Sequence, residues 1–221
     1  MISPSEIIPS ALLSRWLDPA SADMVDQEEL PPGLPNPLRE WYTLTSHWPD
    51  IRSAGTRILK PSRIQLNENR VAFMEDPTGD WTWAFDSNHP NVVYEGESNS
   101  TLTPGSEDLQ ELLAHVTVRS IILLANSSRL GTQVPDEVLP EILSPMEAIG
   151  FGGWKWPRPG YRVHAAESLL AEVGPAIDPQ APWLNRTGYS TVRIAGLGDS
   201  DLTYLDSHLP GTWIDTGINS R

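Results

Sequence analysis

The chain contains no cysteine. That excludes disulfide frameworks, Cys-ligated zinc, iron–sulfur centres and thiol nucleophiles together, and it fits a reducing cytoplasm. Lysine is scarce as well, with Lys60 and Lys155 the only two. Bases number 15 against 29 acids, for a formal net charge of −14. Phosphate backbones and anionic leaflets need a basic surface, so this composition excludes a general nucleic-acid binder and disfavours membrane adhesion. It suits a soluble protein that draws a basic partner from a distance. Long apolar runs are also missing: the longest, residues 121–125, is far too short to span a bilayer. The first residues, MISPSE, have neither the basic start nor the apolar stretch of a leader, and the expected location is cytoplasmic.

The signatures of cofactor chemistry are equally thin. No GxxxxGK[ST] occurs, and Gly196-Leu197-Gly198 lacks the third glycine of a dinucleotide loop. Glycines 150, 152 and 153 do not open a helix after a strand. The five histidines are dispersed with no HxxxH pair. Asp199, Asp201 and Asp206 resemble a calcium loop only loosely, and they read better as acids in the first turns of a helix. Ser190 lacks the flanking glycines of a nucleophile elbow. No catalytic residue, cofactor or metal is therefore expected.

What is present is 39% hydrophobic residues with 9 Trp, enough for a folded core and too apolar for a disordered chain. Ile8, Leu12, Leu13, Trp16 and Leu17 recur at helical spacing and predict a helix over 5–17. An acidic, Pro-rich connection over 26–35 leads to a second helix, with Asn36 as its cap, Pro37 in its first turn, and Leu38, Trp41, Tyr42 and Thr45 on one stripe. Residues 70–75, 81–86 and 91–95, separated by the turn signals DPTGD and SNHP, predict an antiparallel meander in which Trp81, Trp83 and Phe85 share a face. A long helix follows from Ser106, burying Leu109, Leu112, Leu113 and Val116. Residues 126–160 read as an irregular insertion with one short helix over 136–143. Strands then return over 161–166, 169–173 and 189–195. A last helix from Asp199 or Ser200 buries Leu202, Leu205 and Leu209, and Trp213 can close over that core. The order of elements predicts an α+β fold: a central antiparallel sheet, made of the meander (70–95) and the C-terminal strands, flanked by helices.

Charge is unevenly spread. Residues 51–71 hold five bases against one acid, whereas residues 72–115 hold nine acids and no Lys or Arg. Those nine are Glu75, Asp76, Asp80, Asp86, Glu95, Glu97, Glu107, Asp108 and Glu111. Uncompensated, they would make a negative field that steers a cationic protein; the plainer alternative is a solvated face with helix-start acids. Acids interleaved with Trp81 and Trp83 can also line a carbohydrate cleft, although a core Trp pair flanked by turn acids accounts for the same residues more simply.

These segments in this order resemble the SUKH superfamily. The run LPPGLPNPLREWYTLT (30–45) is similar to the entry of that family's second helix, VAFMED (71–76) to its first core strand, WTWAFD (81–86) to the next, and NVVYE (91–95) to the strand that follows. The helix from Ser106 resembles the one that closes the module. The resemblance covers roughly residues 5–125, with 161–221 as further strands and a last helix of a single domain spanning 1–221. It implies a non-enzymatic protein, most often an immunity protein of bacterial polymorphic toxin systems, otherwise a regulatory scaffold. The implied partner is a cognate toxin, often a basic nuclease, blocked by stoichiometric occlusion. The acids of the 75–111 region would steer it, and Trp154 and Trp156 would anchor it if exposed instead of packed under their loop.

Overall fold

A computed structural model describes residues 1–20, 29–66 and 68–217. These form two compact units, one of residues Ile7–Ile121 and one of Met1–Glu6 with Ile122–Arg221. Helices accompany two antiparallel sheets, so the chain is an α+β protein. The meander and the C-terminal strands do not share one central sheet: they form a five-stranded and a six-stranded sheet.

In the first unit, α1 spans Pro9–Trp16 and α2 spans Asn36–Thr45. The first helix is shorter than its periodicity suggests because Pro9 holds Ile8 in an extended conformation (φ −103°, ψ 100°). Ile8 is consequently exposed, while Leu13 and Trp16 are buried. In α2 the whole stripe of Leu38, Trp41, Tyr42 and Thr45 is buried. Part of the acidic connection before it, residues 21–28, lies outside the described residues.

Strands β1 (Arg57–Ile58), β2 (Arg70–Glu75), β3 (Trp81–Asp86), β4 (Val92–Glu97) and β5 (Thr103–Asp108) pair in chain order. The meander is thus flanked by two strands that local pattern does not reveal. Residues 106–108, expected to start a helix, are paired in β5, with Asp108 opposite Val92. The helix α3 (Leu109–Leu124) begins one residue later, and Asp108 Oδ1 accepts the Glu111 amide at 2.9 Å, so Asp108 and not Ser106 supplies the cap. Every residue from Leu112 to Ile122 is buried, including His115, Thr117, Arg119 and Ser120. Polar groups on the buried helix meet partners: the Trp41 indole donates to Thr117 Oγ1 at 3.0 Å, and the Ser120 hydroxyl donates to the Ile51 carbonyl at 3.2 Å.

The second unit holds β6 (Ser127–Pro135), a 3-10 turn over Asp136–Val138, the short α4 (Leu139–Ile142), β7 (Glu147–Ala148), β8 (Arg162–Ala165), β9 (Leu169–Ile177), β10 (Asn185–Gly196), a 3-10 helix over Asp199–Ser207 and β11 (Ile214–Asp215). Residues 126–160 are therefore not an irregular insertion throughout. Ser127–Pro135 is a nine-residue strand held between β10 and β11. Its polar, Gly-containing sequence carries little strand propensity, and pairing on both sides imposes the conformation. Val134, Ile142, Val173, Val192, Leu202 and Leu205 belong to one apolar core, with Trp213 and Leu209 packed against it.

Two close approaches organise this sheet. Tyr161 lies over Gly174, where an added Cβ would come within 2.3 Å of the ring, so glycine leaves the space the aromatic fills. Residues 1–6 also belong here: Ile2 bridges Ile149 in parallel, and the Met1 ammonium reaches Glu147 at 3.1 Å. No helix among the described residues is long and apolar enough to cross a membrane.

Candidate interaction surface

The nine acids of the 75–111 stretch do not share one face. Antiparallel register puts Glu97 opposite Trp81 and Asp108 opposite Val92, at opposite ends of the five-stranded sheet. The strand between those ends, β3, has six residues, about 17 Å at the usual rise. Glu75, Asp76, Asp80 and Glu97 lie at one end, and Asp86, Asp108 and Glu111 at the other.

Burial divides them further. Glu95 and Glu107 are buried, at 3% and 6% exposure, and Asp76 is 3% exposed. Glu95 sits two residues from Val93 and so follows it inward, a consequence of the strand period. Glu107 meets His115 Nδ1 at 2.8 Å. All three are buried, whereas the expected patch places them on an outward face. Glu75 is half-buried and paired with Arg57 at 2.7 Å.

Asp76 is the organiser of the β2–β3 turn. Its Oδ1 accepts the Trp81 amide at 2.8 Å, and its Oδ2 lies 3.2 Å from the Thr78 amide and 2.6 Å from the Thr78 hydroxyl. That hydroxyl is also 2.8 Å from Asp80 Oδ2, but with one hydrogen it can serve only one carboxylate at a time. Burial pushes the Asp76 carboxyl up, yet hydrogen bonds from Thr78, Trp81 and Asp80 together outweigh it and hold the pKa below the usual aspartate value. A folded-state pKa below the unfolded one stabilises at neutral pH, and that stability disappears as pH falls through the depressed value. Asp76→Ala should therefore cost about 1–3 kcal/mol in urea denaturation at pH 7. The deficit should narrow on acidification, where wild type loses the same contribution.

At the far end, Asp86 Oδ1 accepts the Asn88 and His89 amides at 2.8 and 3.1 Å, and these bonds lower its pKa. What remains as outward negative charge is Asp80 with Glu97 at one end and Asp108 with the half-exposed Glu111 and Asp86 at the other. Asp80 and Glu97 are brought together by the Ser98 amide, which donates to the Asp80 carbonyl at 2.8 Å, and by the Ser98 hydroxyl, which donates to Gly79 O at 2.6 Å.

The aromatic anchors are placed differently from expectation. Trp154 is buried at 3% exposure and is no surface anchor, while Trp156 is half-buried. Trp83 is also buried, at 1%, and Trp81 is half-buried with its ring edge-on to Trp83 at 6.4 Å between centroids. A sugar platform must show a ring face to solvent, which Trp83 does not. The exposed Trp is Trp183, at 76%. Its sequence signal is a Pro-flanked tryptophan, APWLN, between two strands.

Asp199, Asp201 and Asp206 serve the second unit's own structure. Asp199 accepts the Ser127 hydroxyl at 2.6 Å, Asp201 accepts the Gly198 amide at 2.9 Å, and Asp206 pairs with Arg129. No group of three or more His, Asp or Glu side chains able to hold a metal occurs among the described residues. No family model, no curated protein and no solved structure matches the chain.

Proposed function

We propose that this is a cytoplasmic, non-enzymatic immunity protein that binds a basic toxin domain and blocks it by stoichiometric occlusion. The observation that carries the reading is the outward pair of Asp80 and Glu97 at one end of the meander, in a chain of net charge −14. Asp80 in the turn that Asp76 organises and Glu97 at the adjoining end of β4 place two outward carboxylates on one end of the sheet, a negative site for a cationic surface. The element order of residues 7–121, helix, helix, meander, helix, supports it as the order that the SUKH resemblance implies.

The test is capture of the toxin encoded beside this gene by the tagged protein at low and high salt, with toxicity scored in parallel. Stoichiometric capture that weakens with salt, together with loss of toxicity, is the expected result. Asp80→Asn with Glu97→Gln should slow association by roughly threefold to tenfold at low salt and leave dissociation nearly unchanged. Salt-insensitive capture by both proteins would remove the acidic end from the mechanism, and absence of capture would remove the immunity reading.

A further inference from the structure

The β9–β10 hairpin carries a second surface of opposite electrostatic character. Ile177, Trp183 and Leu184 are 49%, 76% and 54% exposed at its tip. The loop that bears them is nonetheless held firmly. The Asp178 amide donates to Leu184 O at 3.1 Å, the Leu184 amide to Ala181 O at 2.8 Å, and the Gln180 amide to Asp178 Oδ1 at 2.8 Å. Arg158 donates to Asn185 Oδ1 at 2.8 Å and also to Pro182 O. Gln133 Nε2 donates to Ile177 O at 2.8 Å, and Arg186 donates to Gln133 Oε1 at 2.7 Å with its guanidinium 3.7 Å from the centre of the Tyr189 ring.

This is a loop with its backbone fixed and its largest apolar side chain facing water. Preorganisation of that kind lowers the entropy lost on binding, and Trp and Arg are the residues most enriched at binding hot spots. The charges point to the partner. Among the described residues, Arg158 and Arg186 meet only neutral acceptors and a tyrosine ring, so neither guanidinium is balanced by a carboxylate. The one carboxylate of residues 178–184, Asp178, accepts the Gln180 amide and pairs with neither arginine, so the two guanidinia outnumber it at the tip.

We propose that this tip docks an acidic peptide segment of another protein, with apolar side chains against the Trp183 indole and carboxylates on Arg158 and Arg186. Within a Debye length of the tip a short acidic segment meets two guanidinia and the one Asp178 carboxylate, whereas an extended anionic leaflet meets the field of the whole chain at −14, which favours a peptide segment over lipid. The proposal is independent of the immunity reading, since it uses the other unit and the opposite sign of charge.

The full chain, immobilised, is used to select from a library of random dodecapeptides displayed on phage, and the enriched peptides are titrated against wild type, Trp183→Ala and Trp183→Phe. Trp183 donates none of the bonds that hold the loop, so Trp183→Ala should unfold at the wild-type urea midpoint. Enriched peptides should combine Asp or Glu with Leu, Ile or aromatic residues. Their binding should weaken about tenfold or more in Trp183→Ala, recover in Trp183→Phe, and fall with salt. Enrichment of basic peptides, no enrichment, or equal binding by Trp183→Ala would each overturn the proposal. So would co-sedimentation of wild type, but not Trp183→Ala, with phosphatidylserine vesicles, which would make the tip a lipid contact.

Discussion

His115→Ala is expected to destabilise the protein by about 2–4 kcal/mol, from the lost packing of a buried ring and the loss of a hydrogen-bond partner for a buried carboxyl group. The His115 ring and the Glu107 carboxylate are 2.8 Å apart, with side chains only 1% and 3% exposed. Without the imidazole, the Glu107 carboxylate loses the ring at its Oε1 in a place that water does not reach. A double change, Glu107→Gln with His115→Gln, removes both members and should cost clearly less than the sum of the two single changes. Urea denaturation of wild type, Glu107→Gln, His115→Gln and the double variant measures this coupling. Additive losses would mean that the pair stabilises nothing beyond its separate packing.

Trp83→Ala should cost a similar amount, about 3–5 kcal/mol, through lost burial and the cavity left behind. The side chain is 1% exposed on the middle strand of the five-stranded sheet. Trp81→Ala, at a half-buried position on the same strand, should cost about 1–2 kcal/mol. This contrast also separates a core pair from a carbohydrate platform. A platform tryptophan would lose sugar binding on truncation with stability intact, whereas a loss of several kcal/mol at Trp83 places the ring in the core.

Legibility in the sequence followed how far each element depends on its own residues. The stripe of Leu38, Trp41, Tyr42 and Thr45 predicts α2 because helical period and burial are both local, and the DPTGD turn predicts the β2–β3 hairpin for the same reason. Strand β6 was hidden because SSRLGTQVP is polar and becomes a strand only by pairing with β10 and β11. At Ser106-Glu107-Asp108 the local signals favour a helix start, and strand pairing with β4 prevails over all three, Asp108 being both the last residue of β5 and the cap of α3.

The interaction surface was less legible still, because counting acids along a chain ignores which way each points. Strand alternation sent Glu95 inward and register split the remainder between two ends, leaving Asp80 and Glu97 as the prominent pair at one of them. Trp154 and Trp183 both sit in loop-like sequence, and only the packing of the finished fold separates the buried one from the exposed one.

The bridge between Ile2 and Ile149 bears on how the protein is made. Residues 1–6 leave the ribosome well over a hundred residues before the strands that receive them, while residues 7–121 already hold all the pieces of their own unit. The unit made first can therefore fold during translation, and its neighbour must wait, with its opening segment solvent-exposed until β7 and β8 emerge. Slower synthesis beyond residue 122 is expected to lengthen that wait without disturbing residues 7–121.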